Sequence, residues 1–453
     1  MSDGRVAEAM SRPLAKGWQW IQLGQYVENL DGRRVPVSQK EREARRGDFP
    51  YYGASGVIDS IDGHTHDGEF VLIGEDGANL LTRSKPIAFQ AKGKIWVNNH
   101  AHVLRCKPGY SNAYLAYYIN SIDLSPYVTG TAQPKLSQSM MNKIPVPVAP
   151  PAQQVEIVAE IEKQFSRLDE AVANLQRVKA NLKRYKAAIL KAAVEGHLVE
   201  TEATLAHREG RSYETGEQLL QRILNARRSL WAGRGKYKEP SAELDGGHAD
   251  LQAGWTQASV ESLSSHVEYG SSAKTNEDPA GVPVLRMGNI FDGDLVFDSL
   301  KYLPADHDEF PKLFVEPGDL LFNRTNSPEL VGKTAVFKSL PQTFSFASYL
   351  IRVRLVKDGA LPEYVAAHIN SLYGRKWVKS VVTQQVGQAN VNGTKLQALM
   401  IPLPPLREQR RIVSELDLRL SILRGVETEV DANLQRAKAL RQATLVKAFM
   451  KGA

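Results

Sequence analysis

The chain has 453 residues and a single cysteine, Cys106. One thiol excludes an internal disulfide and a cysteine-rich zinc centre. No run approaches the ~18 consecutive apolar residues of a membrane-spanning helix, so no span is expected. The opening residues, MSDGRVAEAM, lack the apolar stretch of a secretory signal. A reducing, cytoplasmic setting is the expectation. The sequence also lacks the Asn/Asp-Pro-Pro-Tyr/Phe tetrapeptide of amino-methyltransferases and any carboxylate cluster with nuclease spacing. No catalytic residue is therefore assigned.

What is present is a basic chain of ordinary globular composition. Lys and Arg number 57 against 50 Asp and Glu, a formal charge of +7. That excess favours a polyanionic partner, most often nucleic acid. With 42% hydrophobic residues, a chain this long can bury more than one core, and its length suggests about three domains.

The sequence carries a large internal duplication. IPLPPLREQRRIVSEL (Ile401 to Leu416) has a near-copy 255 residues earlier, VPVAPPAQQVEIVAEI (Val146 to Ile161). Six of the sixteen aligned positions are identical, where ordinary residue frequencies give roughly one. Upstream, AQPKL (Ala132 to Leu136) aligns with GQANV (Gly387 to Val391), and YLAYYINS (Tyr114 to Ser121) resembles YVAAHINS (Tyr364 to Ser371). Each half opens on a Gly-Trp pair, Gly17-Trp18 and Gly254-Trp255, and ANLQR recurs at Ala173 and Ala432. Solenoid repeats run about 20–50 residues, so this is a tandem duplication of a whole unit. The expected division is an N-terminal segment (1–16), a globular region (17–150), a long helix (151–196), a connecting region (197–253), a second globular region (254–404) and a second long helix (405–453). The connecting region holds one amphipathic helix, Thr215 to Trp231, and then an exposed linker.

The globular regions read as mixed α/β. GEFVLIG (from Gly68), KIWVNNHAHVLRC (from Lys94), GDLLFNR (from Gly318) and YLIRVRL (from Tyr349) are short β-branched or aromatic runs bounded by Gly, Asp or Asn. NAYLAYYINS and PEYVAAHINS supply one helix each. The segments after the Pro-rich hinges differ in kind. From Gln153 to Ala193 there is neither Gly nor Pro. Ile157, Ile161, Phe165, Leu168, Val172, Leu175, Val178, Leu182, Tyr185 and Ile189 fall at alternating steps of three and four, a seam of coiled-coil type. The second segment repeats it with Ile412, Leu416, Leu420, Leu423, Val430, Leu434, Ala437 and Phe449. Both helices carry acids early and Lys or Arg late, so antiparallel pairing sets each basic end toward the other's acidic part and suits both helix dipoles. Roughly 40 helical residues span about 60 Å, near one and a half to two turns of B-DNA. The fold expected is α+β: two mixed α/β domains in tandem, each followed by a long helix, with the helices packed as an antiparallel coiled coil of pseudo-twofold symmetry.

Taken together, the hinge-plus-helix segments and Gly-Trp openings resemble the specificity (S) subunit of type I restriction–modification systems. YYGASGVID (from Tyr51), FVLIGEDGANL (from Phe70) and VNNHAHVL (from Val97) look like one subtype of that family's target recognition domain. VPVLRMGNI (from Val282) and GDLLFNRTNSPELVGKTAVF (from Gly318) look like another. The first hinge, VAPPAQQ, departs from the usual LPPLxEQ. The resemblance implies two target recognition domains on double-stranded DNA, each reading half of a split sequence. It implies a helix pair that sets the gap and docks two methyltransferase (M) subunits, with restriction/translocase (R) subunits in the larger assembly. S-adenosylmethionine would then belong to the M subunits and ATP with magnesium to the R subunits, none to this chain, in a bacterial or archaeal cytoplasm.

Phosphate contacts call for Lys and Arg on loops; base reading favours Arg and Lys on guanine, Asn and Gln on adenine. In the first half the densest basic run offers Arg33, Arg34, Lys40, Arg42, Arg45 and Arg46, and the later loop adds Gln133 and Lys135. In the second half the choices are Arg286, Asn289, Arg324, Asn326 and Lys333, then Gln384, Gln385, Gln388, Asn390 and Asn392. SPELVGKT (Ser327 to Thr334) ends like a phosphate-binding loop but has Ser327 where close approach to phosphate needs Gly; a turn between strands is expected instead. His64, His66, His100 and His102 form two His-x-His pairs, which on a strand share a face, yet no Cys or carboxylate pattern supports a metal. The rival reading is a coiled-coil scaffold that joins two protein ligands without touching DNA.

Overall fold

The computed structural model describes residues 10–11, 13–130, 132–231, 236–240, 251–385 and 388–450. It divides into two compact units, residues 1–178 with 429–453, and residues 179–428. The two long helices, Pro151–Val194 and Leu406–Met450, each contribute one portion to each unit. No helix among the described residues is long and apolar enough to cross a membrane.

The first unit is built on β1 (Gln19–Gln22), β2 (Val27–Asn29), β3 (Phe49–Gly53), β4 (Gly56–Ile61), β5 (His66–Gly74), β6 (Ala88–Val97), β7 (Ala101–Cys106) and β8 (Pro145–Val148). Six of them form one sheet in the order β2-β7-β5-β6-β3-β4, antiparallel except for the β3–β6 pair. Strand β5 is central, and its run Phe70 to Ile73 is buried on both faces, which is why it reads as a continuous apolar stretch rather than an alternating one. Asn98 ends β6. Its side-chain oxygen accepts the His100 N–H at 2.8 Å, and this turn splits KIWVNNHAHVLRC, expected as one run, into β6 and β7. His100 therefore sits in the turn and not on a strand face beside His102. The helix Asn112–Ser121 is capped by the Ser111 hydroxyl and packs its Tyr114, Leu115 and Ile119 into the core.

The second unit holds β9 (Thr256–Ser259), β10 (Ser264–Tyr269), β11 (Val282–Leu285), β12 (Ile290–Phe291), β13 (Asp294–Leu295), β14 (Lys301–Leu303), β15 (Leu320–Asn323), β16 (Thr325–Asn326), β17 (Thr334–Val336), β18 (Ser345–Phe346), β19 (Leu350–Leu355), β20 (Thr383–Gln385), β21 (Gln388–Asn390) and β22 (Met400–Leu403). Its main sheet runs β10-β19-β15-β17 and is flanked by β14-β11-β18 and β16-β21-β20. Ser327 to Lys333 is the turn between β16 and β17. The helix Pro362–Asn370 is followed at once by a second, Leu372–Val381, capped by the Ser371 hydroxyl; a single helix was expected there. The connecting region likewise has two helices among its described residues. Glu202–Glu209, capped by Thr201, precedes Gly216–Ser229, whose Leu219 and Ile223 enter the core. Much of the linker that follows lies outside the described residues.

The duplicated hinge is a repeated set of hydrogen bonds. In the first unit β8 pairs antiparallel with β1, and in the second β22 pairs with β9. The Tyr114 hydroxyl donates to the Pro147 carbonyl at 2.6 Å, and Tyr364 to Pro402 at 2.8 Å. Gln154 donates to the Ala149 carbonyl at 2.8 Å and accepts the Ser111 N–H at 3.1 Å. Gln409 donates to Pro404 and accepts from Leu361, both at 2.8 Å. Each glutamine thus ties the end of the hinge to the N-terminus of the unit's own helix, where N–H groups have no intrahelical acceptor. The Trp18 indole donates to Gln153 and the Trp255 indole to Glu408, at 2.8 and 2.9 Å. The shared Gly-Trp openings and shared hinge residues are two sides of one contact.

Within each unit the long helices run antiparallel. In the first, Ile161 and Phe165 share a core with Leu445 and Phe449, and Arg441 pairs with Asp169 at 2.5 Å. In the second, Leu182 and Ile189 pack with Ile412, Leu416, Leu420 and Leu423. Of the expected seam, Ile161, Phe165, Ile412, Leu416 and Leu423 are buried, while Ile157, Leu168, Leu175, Leu182, Leu420 and Leu434 are half-buried. Val178 and Tyr185 are 40% and 52% exposed, and Tyr185 meets Arg419 of the second helix.

Candidate nucleic-acid interface

In the first unit, three loops converge at one end of the six-stranded sheet. Gly74 passes so close to the β3–β4 turn that a Cβ there would lie 2.7 Å from the Ala54 carbonyl oxygen. Glu75 N–H donates to the His100 carbonyl at 2.9 Å, Leu136 N–H to Glu75 at 2.8 Å and Gly77 N–H to Pro134 at 3.0 Å. The loops around Glu75, Asn98–His100 and Gln133–Lys135 are thereby locked together. Asn99, His100, Gln133 and Lys135 are exposed on this surface.

A charged network supports it from beneath. Asp31 accepts from His102 Nδ1 at 2.6 Å and from Val103 N–H at 2.7 Å, and Glu75 lies between Arg34 at 2.5 Å and Lys135 at 3.2 Å. Burial pushes both carboxyls up. The His102 contact outweighs it at Asp31, and the Arg34 hydrogen bond and His102 charge outweigh it at Glu75, so both are held below their ordinary values. Asp31, Glu75 and His102 are close enough to suggest a metal. However, His102 Nε2 faces the Leu136 carbonyl at 2.8 Å and must carry a proton, while Nδ1 is taken by Asp31. With both ring nitrogens engaged and cations already beside Glu75, the donor set does not fit one. His100, by contrast, holds Asp76 through Nδ1 at 2.8 Å with its ring exposed.

Three of the six cations in the first basic run are held by partners within the fold. Arg34 is held by Glu75 and the Ala101 carbonyl. Arg42 bonds Asp59 at 2.9 Å and the Val37 carbonyl at 2.7 Å above the Tyr51 ring. Arg45 makes a two-point contact with Asp62 above the Trp96 ring. Their partners lie far off in sequence, so the run looks free when read linearly. Arg33, Lys40 and Arg46 are exposed.

In the second unit, Arg324 leaves β15 with its guanidinium 4.7 Å from the centroid of the Tyr269 ring. It leads into the β16-β21-β20 sheet, where Asn390 donates to the Thr325 hydroxyl at 2.7 Å and Gln388 is exposed. Asn326 accepts its neighbour's N–H from Ser327. Arg286 donates through Nη2 to the Ser299 carbonyl at 2.6 Å, and its Nε is buried without a partner. Lys333 sits 5.8 Å from the Phe291 ring centroid. Two expected readers are engaged within the fold. Asn289 is buried and spends its amide on Arg286 N–H and on the Val296 and Asp298 carbonyls. Asn392 caps the helix Gly393–Gln397 by accepting the Lys395 N–H. Gln384 and Gln385 lie in β20, but their side chains fall outside the described residues. Tyr269 and Tyr349, both more than 40% exposed, were not singled out from the sequence; the adjoining Gly270 was the one local signal.

The chain matches the model of the type I restriction modification DNA specificity domain over residues 15–184 and 268–425. It belongs to that family. It is 37% identical over 140 residues to a Haemophilus influenzae protein named as a type I restriction enzyme specificity subunit, covering 31% of this chain and 35% of that one. It is 26% identical over 353 residues to the EcoKI specificity subunit of Escherichia coli K12, covering 77% and 67%. The chain thus spans about a third of the first relative's length and two thirds of the second's. A chain from a solved type I R-M system shares the fold, with a TM-score of 0.60 at 19% identity over 97% of this chain and 99% of that one.

Proposed function

We propose that this chain is the DNA-recognition subunit of a type I restriction–modification complex and performs no chemistry itself. The observation that carries the reading is the duplication. Each half has its own sheet-based domain and its own hinge clip, Tyr114–Pro147 with Gln154 in one and Tyr364–Pro402 with Gln409 in the other. Two equivalent readers suit a split target. Residues 17–150 would read one half-site through Gln133 and Lys135, with Arg33, Lys40 and Arg46 on phosphates. Residues 254–404 would read the other through Arg286, Arg324, Asn326, Lys333, Gln388 and Asn390. The long helices, 44 and 45 residues, would measure the gap, each ~66 Å long at 1.5 Å per residue.

Leu418, Ile422 and Val426 stand exposed at steps of four on the second helix, an apolar stripe suited to docking methyltransferase subunits. S-adenosylmethionine would be bound by those methyltransferase subunits, and ATP with magnesium by the R subunits, in the cytoplasm. The test is a gel-shift titration with M subunits present. One bipartite sequence should be preferred, and binding should weaken steeply with salt. Equal affinity for all duplexes would overturn the reading.

A further inference from the structure

We propose that Arg324, laid on the Tyr269 ring, reads a guanine in the half-site of the second unit; this rests on the DNA-recognition function proposed above. Most arginines of this unit are consumed by the fold. Arg352, for example, is held by Glu268 and by the Phe314 and Lys312 carbonyls. Arg324 has no carboxylate partner among the described residues. Its Nε is buried with no acceptor, and its Nη1 has only a 3.4 Å contact to the Ser348 carbonyl. Its Nη2 has no hydrogen bond among the described residues and is not buried, so the outer edge of the guanidinium is open to an acceptor from outside.

The floor beneath it is fixed. The Tyr269 hydroxyl accepts the Gly393 N–H at 2.7 Å, and a Cβ at Gly393 would come within 3.1 Å of that oxygen. The ring therefore cannot swing without breaking a backbone contact, and a stacked guanidinium keeps its plane. A planar pair of donors matches the O6 and N7 acceptors of guanine in the major groove. The neighbouring side chains, Asn326, Gln388 and Asn390, are amides suited to base edges. A phosphate site would instead be expected to gather further cations.

The full chain with its methyltransferase subunits first defines the methylated sequence, and exchange of residues 254–404 identifies the half-site concerned. Duplexes then carry 7-deazaguanine, which lacks the N7 acceptor, at each guanine of that half-site in turn. Wild type should lose at least about five-fold in affinity at one position. Arg324→Ala should bind the unmodified site more weakly yet be indifferent to that change, while keeping its selectivity for the first half-site, which shows it folded. A half-site without guanine, or a variant as sensitive as wild type to every replacement, overturns the assignment. Uniform weakening by Arg324→Ala with a salt slope smaller by about one would place Arg324 on a phosphate and also overturn it. A chain with no sequence preference at all would overturn the DNA-recognition function itself.

Discussion

Gln409→Ala is the most direct test of the hinge. The residue is fully buried, and its amide bridges the Pro404 carbonyl and the Leu361 N–H, both at 2.8 Å. Truncation strands one donor and one acceptor where water has little access, each costing about 1–3 kcal/mol. Partial relaxation brings the expected loss to about 3 kcal/mol, or roughly 6–12 °C in melting temperature for a unit of this size. Gln409→Glu separates hydrogen bonding from packing. One carboxylate oxygen still accepts from Leu361, but the other faces the Pro404 oxygen, two acceptors in contact. That variant should be destabilised at neutral pH and recover as acid protonates the buried carboxyl, which then donates to Pro404. Denaturant unfolding of both variants across pH gives the answer. A loss below about 1 kcal/mol for the alanine variant, or no recovery in acid for the glutamate, would refute the bridge as the element that holds the hinge.

Two further outcomes are expected. Phe449→Ala should cost about 3–5 kcal/mol, because the ring lies edge-on to Tyr114 and Tyr118 at 5.0 and 5.3 Å; hydrogen exchange should rise in residues 112–121 and not in the core around Leu320 and Ile351. The folded-state values of Asp31 and Glu75 are lowered, so their stabilisation is complete above the ordinary carboxylate range and is lost as pH falls through the lowered values. Acid unfolding should therefore show a limb below about pH 4, and Asp31→Asn should flatten it while lowering stability at neutral pH.

The architecture was largely legible because duplication, helical period and Pro-capped hinges are one-dimensional signals. The antiparallel pairing followed from charge order and appears as Arg441 against Asp169. The interface was less legible because a linear run does not reveal strand register. Arg42 and Arg45 meet Asp59 and Asp62 only because β3 and β4 fold back as a hairpin. Asn289 and Asn392 carried the residue type of a base reader, but Asn also caps helices and closes turns: Asn289 is buried in such a turn, and Asn392 caps a helix. Tyr269 carries no linear signal because its role depends on what Arg324, 55 positions later in the chain, lays across it.

One chemical difference between the two hinges, Gln153 against Glu408, has a local cause. Gln153 and Glu408 both accept a tryptophan indole N–H. Glu408 also accepts the Glu202 N–H at 2.8 Å, in the first turn of the helix Glu202–Glu209. Burial pushes its carboxyl above the ordinary value, while the Glu202 and Trp255 contacts and the charge of Arg411 oppose that rise. A helix N-terminus is a favourable place for an anion. Gln153 is exposed and meets only the indole, so a neutral amide suffices. Glu408→Gln should then cost about 1–3 kcal/mol, since its amide NH2 would face the Glu202 N–H, donor against donor. Gln153→Glu should change little, because an exposed carboxylate accepts from Trp18 as well as the amide does. Equal effects of the two swaps in denaturant unfolding would mean that the connecting helix does not select the acid, and the difference between the hinges would lose its explanation.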